Sequence, residues 1–221
     1  MVRENLERIR KTLPSGVALL AVSKFHPVEA IREAYDAGQR AFGESRAMEL
    51  RDKAAELPDD IRWHFIGHLQ TNKVRPVVKA ATVIESIDSE RLLRLVDAEA
   101  KKAGKRVEVF IQLHVAREET KFGLTPDEAL ALFTPELVDS LEATTVIGVM
   151  GMASNTDDEA RVEADFAKIR ESFDRLKAGT FAPHPEFREV SMGMSDDYLL
   201  AVKHGSTMVR IGTDIFGNRE Y

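Results

Sequence analysis

VALLAVSKFHPVEAIREAYDAGQRAFGES, residues 17–45, is the stretch on which the reading of the fold turns. Residues 17–23 form an apolar run of strand length. Pro27 then opens a helical segment, because its fixed φ and missing N–H suit a first turn; the segment runs through Ala37 and stops at Gly38. A second strand-like run follows at 41–43. Strand, helix and strand over so short a span make one βα unit and the start of the next.

The same beat continues along the chain. Strand-like runs fall at 63–66, 82–87, 107–115, 146–150, 189–192 and 208–211. Helical patterns fill the intervals, at 47–57, 72–80, 90–103, 126–141, 158–178 and 197–204. Within 158–178, Val162, Phe166, Ile169, Phe173 and Leu176 recur every three or four residues and mark one apolar face. Ahead of the first strand, Leu6, Ile9 and Leu13 share a helical stripe, with Glu4–Arg8 and Glu7–Lys11 spaced for ion pairs outside it. Strict alternation of strand and helix predicts a parallel sheet. Eight strands fit a closed (β/α)8 barrel of the TIM type, read as one domain over residues 1–221. The extra N-terminal helix is expected to cover the position that a missing last helix leaves. A doubly wound open sheet is the alternative.

Composition sets the bounds. With 31 Lys+Arg against 37 Asp+Glu the formal net charge is −6, so no nucleic acid or anionic membrane is expected as a partner. Hydrophobic residues at 43% and charged residues at 31% describe an ordinary globular chain rather than a disordered one. Cysteine is absent, which excludes disulfides, Cys-ligated zinc, iron–sulfur clusters and thiol nucleophiles. No apolar run approaches the ~20 residues that a membrane span needs. MVRENLERIRKTL, at the start, alternates charge and lacks the apolar core of a signal peptide, so the expected location is cytoplasmic.

A (β/α)8 barrel carries its active site at the C-terminal ends of the strands, and phosphate commonly binds after strands seven and eight. Those ends carry Lys24, Glu44, His68, Asp88, His114, Met152, Ser195, Arg210, Gly212 and Thr213. Leu20, Val22 and Lys24 share a parity, so a lumen-facing Leu20 brings Lys24 to the lumen as well. An ammonium is costly to bury unless paired, whereas the neutral amine attacks carbonyls to form a Schiff base. The plainer reading is a strand-end lysine that reaches solvent. SMGMS, residues 191–195, ends the seventh strand, and VRIGTDIFG, 209–217, crosses the eighth. Gly193 and Gly212 let main chain approach a ligand, while Ser195 and Thr213 add hydroxyls at helix-start positions. Arg210 stands between Val209 and Ile211, so its guanidinium points inward and needs a carboxylate, a phosphate or a ring nitrogen. Strand five sends Arg106, Glu108, Phe110, Gln112 and His114 to one face and Val107, Val109, Ile111 and Leu113 to the other, which predicts a polar lumen. Lys121, in the loop 117–123, would sit naturally beside a phosphate. His64 and His68 are four apart, but on a strand and its exit rather than on a helix, so no metal site is expected.

AVSKFHP (21–27), FGES (42–45), WHFIGHLQTNK (63–73), SIDS (86–89), SMGMSDD (191–197) and GSTMVRIGTDIFG (205–217) occur in this order. Together they resemble the pyridoxal phosphate homeostasis protein family, the YggS/PROSC type, over essentially the whole chain. The resemblance implies a fold-type III barrel similar to the N-terminal domain of alanine racemase, without that enzyme's C-terminal β domain. It implies that Lys24 forms an internal aldimine with pyridoxal phosphate, that Ser195, Gly212 and Thr213, with Ser191 in the same segment, hold the cofactor and its phosphate, and that Arg210 faces the pyridine nitrogen. Two positions depart from the family pattern: Ser45 stands where GEN has asparagine, and His114 stands where strand five often has asparagine. The expected function is to hold pyridoxal phosphate and to buffer or deliver it, with apoenzymes as recipients and a monomer as the working form. The alternatives are a racemase-like enzyme, which needs a second base that Tyr35, Tyr198 and Tyr221 do not convincingly offer, and a cofactor-free Schiff-base aldolase.

Overall fold

The structure, a computed structural model, describes residues 1–118 and 122–218. The first half of the chain runs α1 (Val2–Thr12), β1 (Ala18–Val22), α2 (Val28–Asp36), β2 (Ala41–Glu44), α3 (Ala47–Glu56), β3 (Arg62–Phe65), α4 (Val74–Ala80), β4 (Val83–Ile87) and α5 (Glu90–Lys102). The second half runs β5 (Val107–Leu113), α6 (Pro126–Leu132), α7 (Pro135–Asp139), β6 (Thr144–Gly151), α8 (Glu159–Ala178), β7 (Glu189–Ser191), α9 (Tyr198–Lys203), β8 (Met208–Ile211) and α10 (Thr213–Phe216). All eight strands pair in parallel with their sequence neighbours, and β1 closes the ring against β8, with Leu19 opposite Val209 and Ala21 opposite Ile211. The open-sheet alternative is thereby excluded.

Two layers of side chains hold the barrel. Outside the strands, Ala21, Phe42, Trp63, Ile84, Val109, Ile111, Val149 and Ile211 pack against helix residues such as Leu6, Ile31, Leu50, Val96 and Ile169. Inside, Leu20, Val83, Phe110, Ile147, Met150 and Met208 fill the lower lumen. The apolar face of α8 is buried at Val162, Phe166, Ile169, Phe173 and Leu176, as its spacing predicts. Two register shifts re-aim the interior. One, between Val109 and Phe110 on β5 against β6, inserts Ile147 and allows both Ile147 and Met150 to reach the lumen. The other falls between Ile84 and Ile87 of β4, so that Ile87 faces outward as Ile84 does, although simple alternation would point it inward with Val83 and Glu85.

The helix expected over 126–141 is two helices, α6 and α7. Pro135 cannot continue α6, and each piece starts on its own threonine cap, Thr125 and Thr134. The leading helix does take the place expected of it: Asn5 donates to the Ile215 carbonyl of α10 at 3.0 Å, and Arg10 donates to the Ala37 carbonyl behind α2 at 2.9 Å. Among the described residues, no helix is long and apolar enough to cross a membrane.

Candidate functional site

The upper lumen opens into a cavity of about 290 Å³ lined by Val22, Lys24, Ile66, Met150, Met152, Met194, Ser195, Asp196, Arg210, Gly212 and Thr213. Its size falls at the small end of ligand pockets, about 300–1,000 Å³. Leu20 lies in the lumen cluster, and Lys24 lines the same interior, as the parity argument requires. The cavity brings together five of the six residues singled out for a cofactor. Ser191 is the sixth and sits one layer lower, fully buried, with its hydroxyl taken up by Glu85 and Arg210. A larger cavity, about 1010 Å³, lies beyond the β1–α2 turn and is walled by Phe25, Arg46, Met48, His68 and Lys73; none of the six reaches it. Ser45 lines that neighbour, and His114 lies within 3.0 Å of the Ala116 carbonyl, so neither departure from the family pattern touches the smaller cavity. Lys121 lies outside the described residues.

The turn that carries Lys24 is held from both sides. Phe25 takes a left-handed backbone, φ 68°, which costs a non-glycine residue about 1–3 kcal/mol and persists only where the surroundings impose it. Glu49 imposes it by accepting the Phe25 amide at 2.7 Å, and Arg46 covers the Phe25 ring at 4.4 Å. Lys53, whose side chain is 8% exposed, donates to the Ser23 carbonyl at 2.9 Å, to Glu44 at 2.8 Å and to Glu49 at 2.7 Å. Glu44 also accepts the Ser23 hydroxyl at 2.6 Å. Burial pushes the Glu44 carboxyl up to about 7, although Lys53 and Ser23 pull the other way. On the far side, the His26 ring stacks on Phe216 of α10 at 5.0 Å, which ties the lysine turn to the segment bearing Thr213.

Arg210 is 5% exposed and spends its Nη1 on the Ser191 carbonyl at 2.7 Å and hydroxyl at 2.8 Å, and its Nη2 on the Gly151 carbonyl at 3.0 Å. Burial lowers its pKa, while Glu85 and Asp197 oppose that. Neither Ser195 nor Thr213 makes a side-chain hydrogen bond to another described residue, so both hydroxyls can serve an anion. Thr213 opens α10, but α10 is a single turn of four residues and sums almost no macrodipole; Ser195 lies in the turn ahead of α9 rather than at its start. What the cavity offers an anion is therefore its hydroxyls and basic side chains rather than a helix terminus. Asp197, nearby, is raised by burial despite its bond from the Met194 amide. A lysine amine, a guanidinium, two hydroxyls and flanking walls of Val22, Ile66, Met150 and Met152 suit a flat ring bearing an aldehyde and a phosphate.

A family model described as the N-terminal domain of alanine racemase matches residues 1–220. The pyridoxal phosphate homeostasis protein of Schizosaccharomyces pombe is 40% identical over 92% of this chain and 85% of its own. The chain belongs to the pyridoxal phosphate homeostasis protein family. The family's member from Vibrio alginolyticus is 38% identical over 100% of this chain and 98% of its own. PipY of Synechococcus elongatus superposes with a TM-score of 0.92 at 40% identity without pyridoxal phosphate, and 0.88 at 38% with pyridoxal phosphate bound, each over 98% of this chain and 100% of that one. Alanine racemase from E. faecalis shares the fold alone, at 19% identity and a TM-score of 0.71 over 98% of this chain and 57% of that one.

Sequence reasoning missed Lys53 and Glu49, which brace the lysine turn, and Glu85, which lies under Arg210 in the lower lumen. The i,i+4 spacing of Glu49 and Lys53 is visible, but it reads as an ordinary surface pair. Glu85 shares the inward parity of Val83, which is the one signal that pointed to it.

Proposed function

We propose that this chain holds pyridoxal phosphate as a Schiff base on Lys24, with Arg210 toward the pyridine nitrogen and Ser195, Gly212 and Thr213 at the phosphate, and that it buffers the cofactor and delivers it to apoenzymes as a cytoplasmic monomer. The observation that carries this reading is the convergence of Lys24, Arg210 and two unengaged hydroxyls in one small cavity. When bound, the cofactor supplies an electrophilic aldehyde carbon and an electron-accepting ring. The Lys24 amine anchors it at one end, while the Ser195 and Thr213 hydroxyls donate to phosphate oxygens at the other. Ser191 supports Arg210 from below. An arginine donates to the ring nitrogen without giving up its proton, which leaves that nitrogen unprotonated and the ring a weak electron sink. A second base for racemisation has no candidate among the described tyrosines: the Tyr35 hydroxyl donates to Asp60 at 2.7 Å, and the Tyr198 hydroxyl pairs with Thr12 at 3.0 Å. Retention and release suit this set better than carbanion chemistry.

The test is an absorption spectrum of the reconstituted protein, then borohydride reduction and peptide mapping. A visible band and a pyridoxyl adduct on Lys24 are expected, and both should vanish in Lys24→Ala. The absence of band and adduct in the wild type would overturn the reading. Arg210→Ala should weaken retention by about 1–3 kcal/mol, the worth of a buried charge-assisted contact. Amino acids incubated with the loaded protein in deuterated water should keep their Cα hydrogen; exchange with turnover would favour the racemase-like alternative.

A further inference from the structure

Below the cofactor cavity, four strands each contribute one polar side chain to an apolar lumen. Arg210 of β8 donates to the Ser191 hydroxyl of β7 at 2.8 Å, and that hydroxyl donates to Oε2 of Glu85 on β4 at 2.6 Å. The other oxygen of Glu85 lies 2.6 Å from Nδ1 of His64 on β3. Glu85, Ser191 and His64 are fully buried, with Leu20, Val83, Phe110 and Met208 in the same lumen. Such a carboxylate survives in an apolar interior only if its oxygens are satisfied and its charge is met. Burial by itself would raise Glu85, yet the His64 hydrogen bond, the charges of His64 and Arg210 and the Ser191 hydroxyl hold it below the usual carboxylate range. Arg210 and Glu85 form no direct ion pair; Ser191 stands between them. The guanidinium is thus compensated without being drawn down into the barrel, and it stays in the cavity wall.

We propose that Glu85, oriented by His64, is a positioning residue that holds Arg210 through Ser191 and so fixes the guanidinium that the cofactor's ring nitrogen meets. This rests on the reading of Arg210 as the ring-nitrogen partner. Glu85 keeps the inward parity of Val83, which brings it within reach of Ser191, and the β4 register shift turns Ile87 back outward. A carboxylate that served only to fill the lumen would have no bearing on the cofactor's electronics.

The experiment compares wild type, Glu85→Gln, Ser191→Ala, His64→Leu and His64→Asn. Each is titrated with pyridoxal phosphate, and the ring-nitrogen NMR resonance of isotopically labelled cofactor is recorded alongside the thermal midpoint. Glu85→Gln, Ser191→Ala and His64→Leu should each weaken binding by about 5- to 20-fold, the scale of one charge-assisted hydrogen bond, and should move the ring-nitrogen resonance. His64→Asn keeps an N–H donor for Glu85 and should restore both. Folded Glu85→Gln or Ser191→Ala with wild-type affinity and an unmoved resonance would overturn the proposal; Ser191→Ala, which removes a single oxygen, decides it if Glu85→Gln does not fold. Failure of the underlying reading looks different: the wild type would not bind the cofactor, or Arg210→Ala would leave the resonance in place.

Discussion

A carboxyl group cut off from water, such as that of Glu44, ionises only as far as its neighbours compensate it. Burial raises Glu44 from its ordinary 4.5 to about 7 in the fold, against the pull of Lys53 and Ser23. Between those two values the folded protein binds a proton that the unfolded chain has released. The group's contribution is therefore fully present below pH 4.5 and is lost as pH rises through about 7. The loss is on the order of 3 kcal/mol before relaxation. Urea unfolding of wild type and Glu44→Gln across this range should show the variant gaining on the wild type as pH rises; parallel profiles would refute a raised Glu44. At this scale the sequence was uneven. Inward parity identified Lys24 and Arg210 because alternation along a strand is local. Lys53 and Glu85 stayed hidden because the groups that set them apart from a surface pair or a lumen filler lie on other elements, Ser23 and Glu44 for Lys53 and, 106 residues away, Ser191 for Glu85.

The elements that shape the site depend on a few backbone positions. Gly193, between β7 and α9, has φ +96°, and a Cβ there would lie 2.6 Å from Ala201 Cβ and 2.9 Å from Tyr198 Cα. Its carbonyl also accepts the Arg210 amide at 2.9 Å, so a shift of this turn would disturb both sides of the cavity. Gly193→Ala should lower stability by about 1–3 kcal/mol, measured by chemical denaturation, and should weaken pyridoxal phosphate binding as well. Unchanged stability would mean that the turn relaxes around a methyl group. Periodicity located every strand and most helices, since burial on one face or two imposes a period that a short window can display. It joined α6 to α7 because apolar spacing continues across Thr134 and Pro135, although proline chemistry at that point already favoured a break.

At the scale of the molecule, α1 fastens the ring where it closes. Leu6 is fully buried, and Glu33 of α2 accepts the Val2 amide at 3.0 Å. Leu6→Ala should cost about 2–5 kcal/mol, as for other fully buried leucines, with loss of the cooperative unfolding midpoint as the readout. A cost below about 1 kcal/mol would mean that α1 is an ornament rather than a clasp. The barrel was legible from alternation alone, but the clasp's partners were not, because Asn5 and Ile215 stand 210 residues apart. That distance has a further consequence. Lys24 follows the first strand of the ring, while Ser195, Arg210 and Thr213 come from the last two. A chain leaving the ribosome thus exposes the amine early and the grip for ring and phosphate last, and β1 waits with an open edge until β8 has been made. On the proposed reading, an unfinished copy carries the hook without the hand, and cofactor capture becomes a certificate that synthesis has run to the final strand.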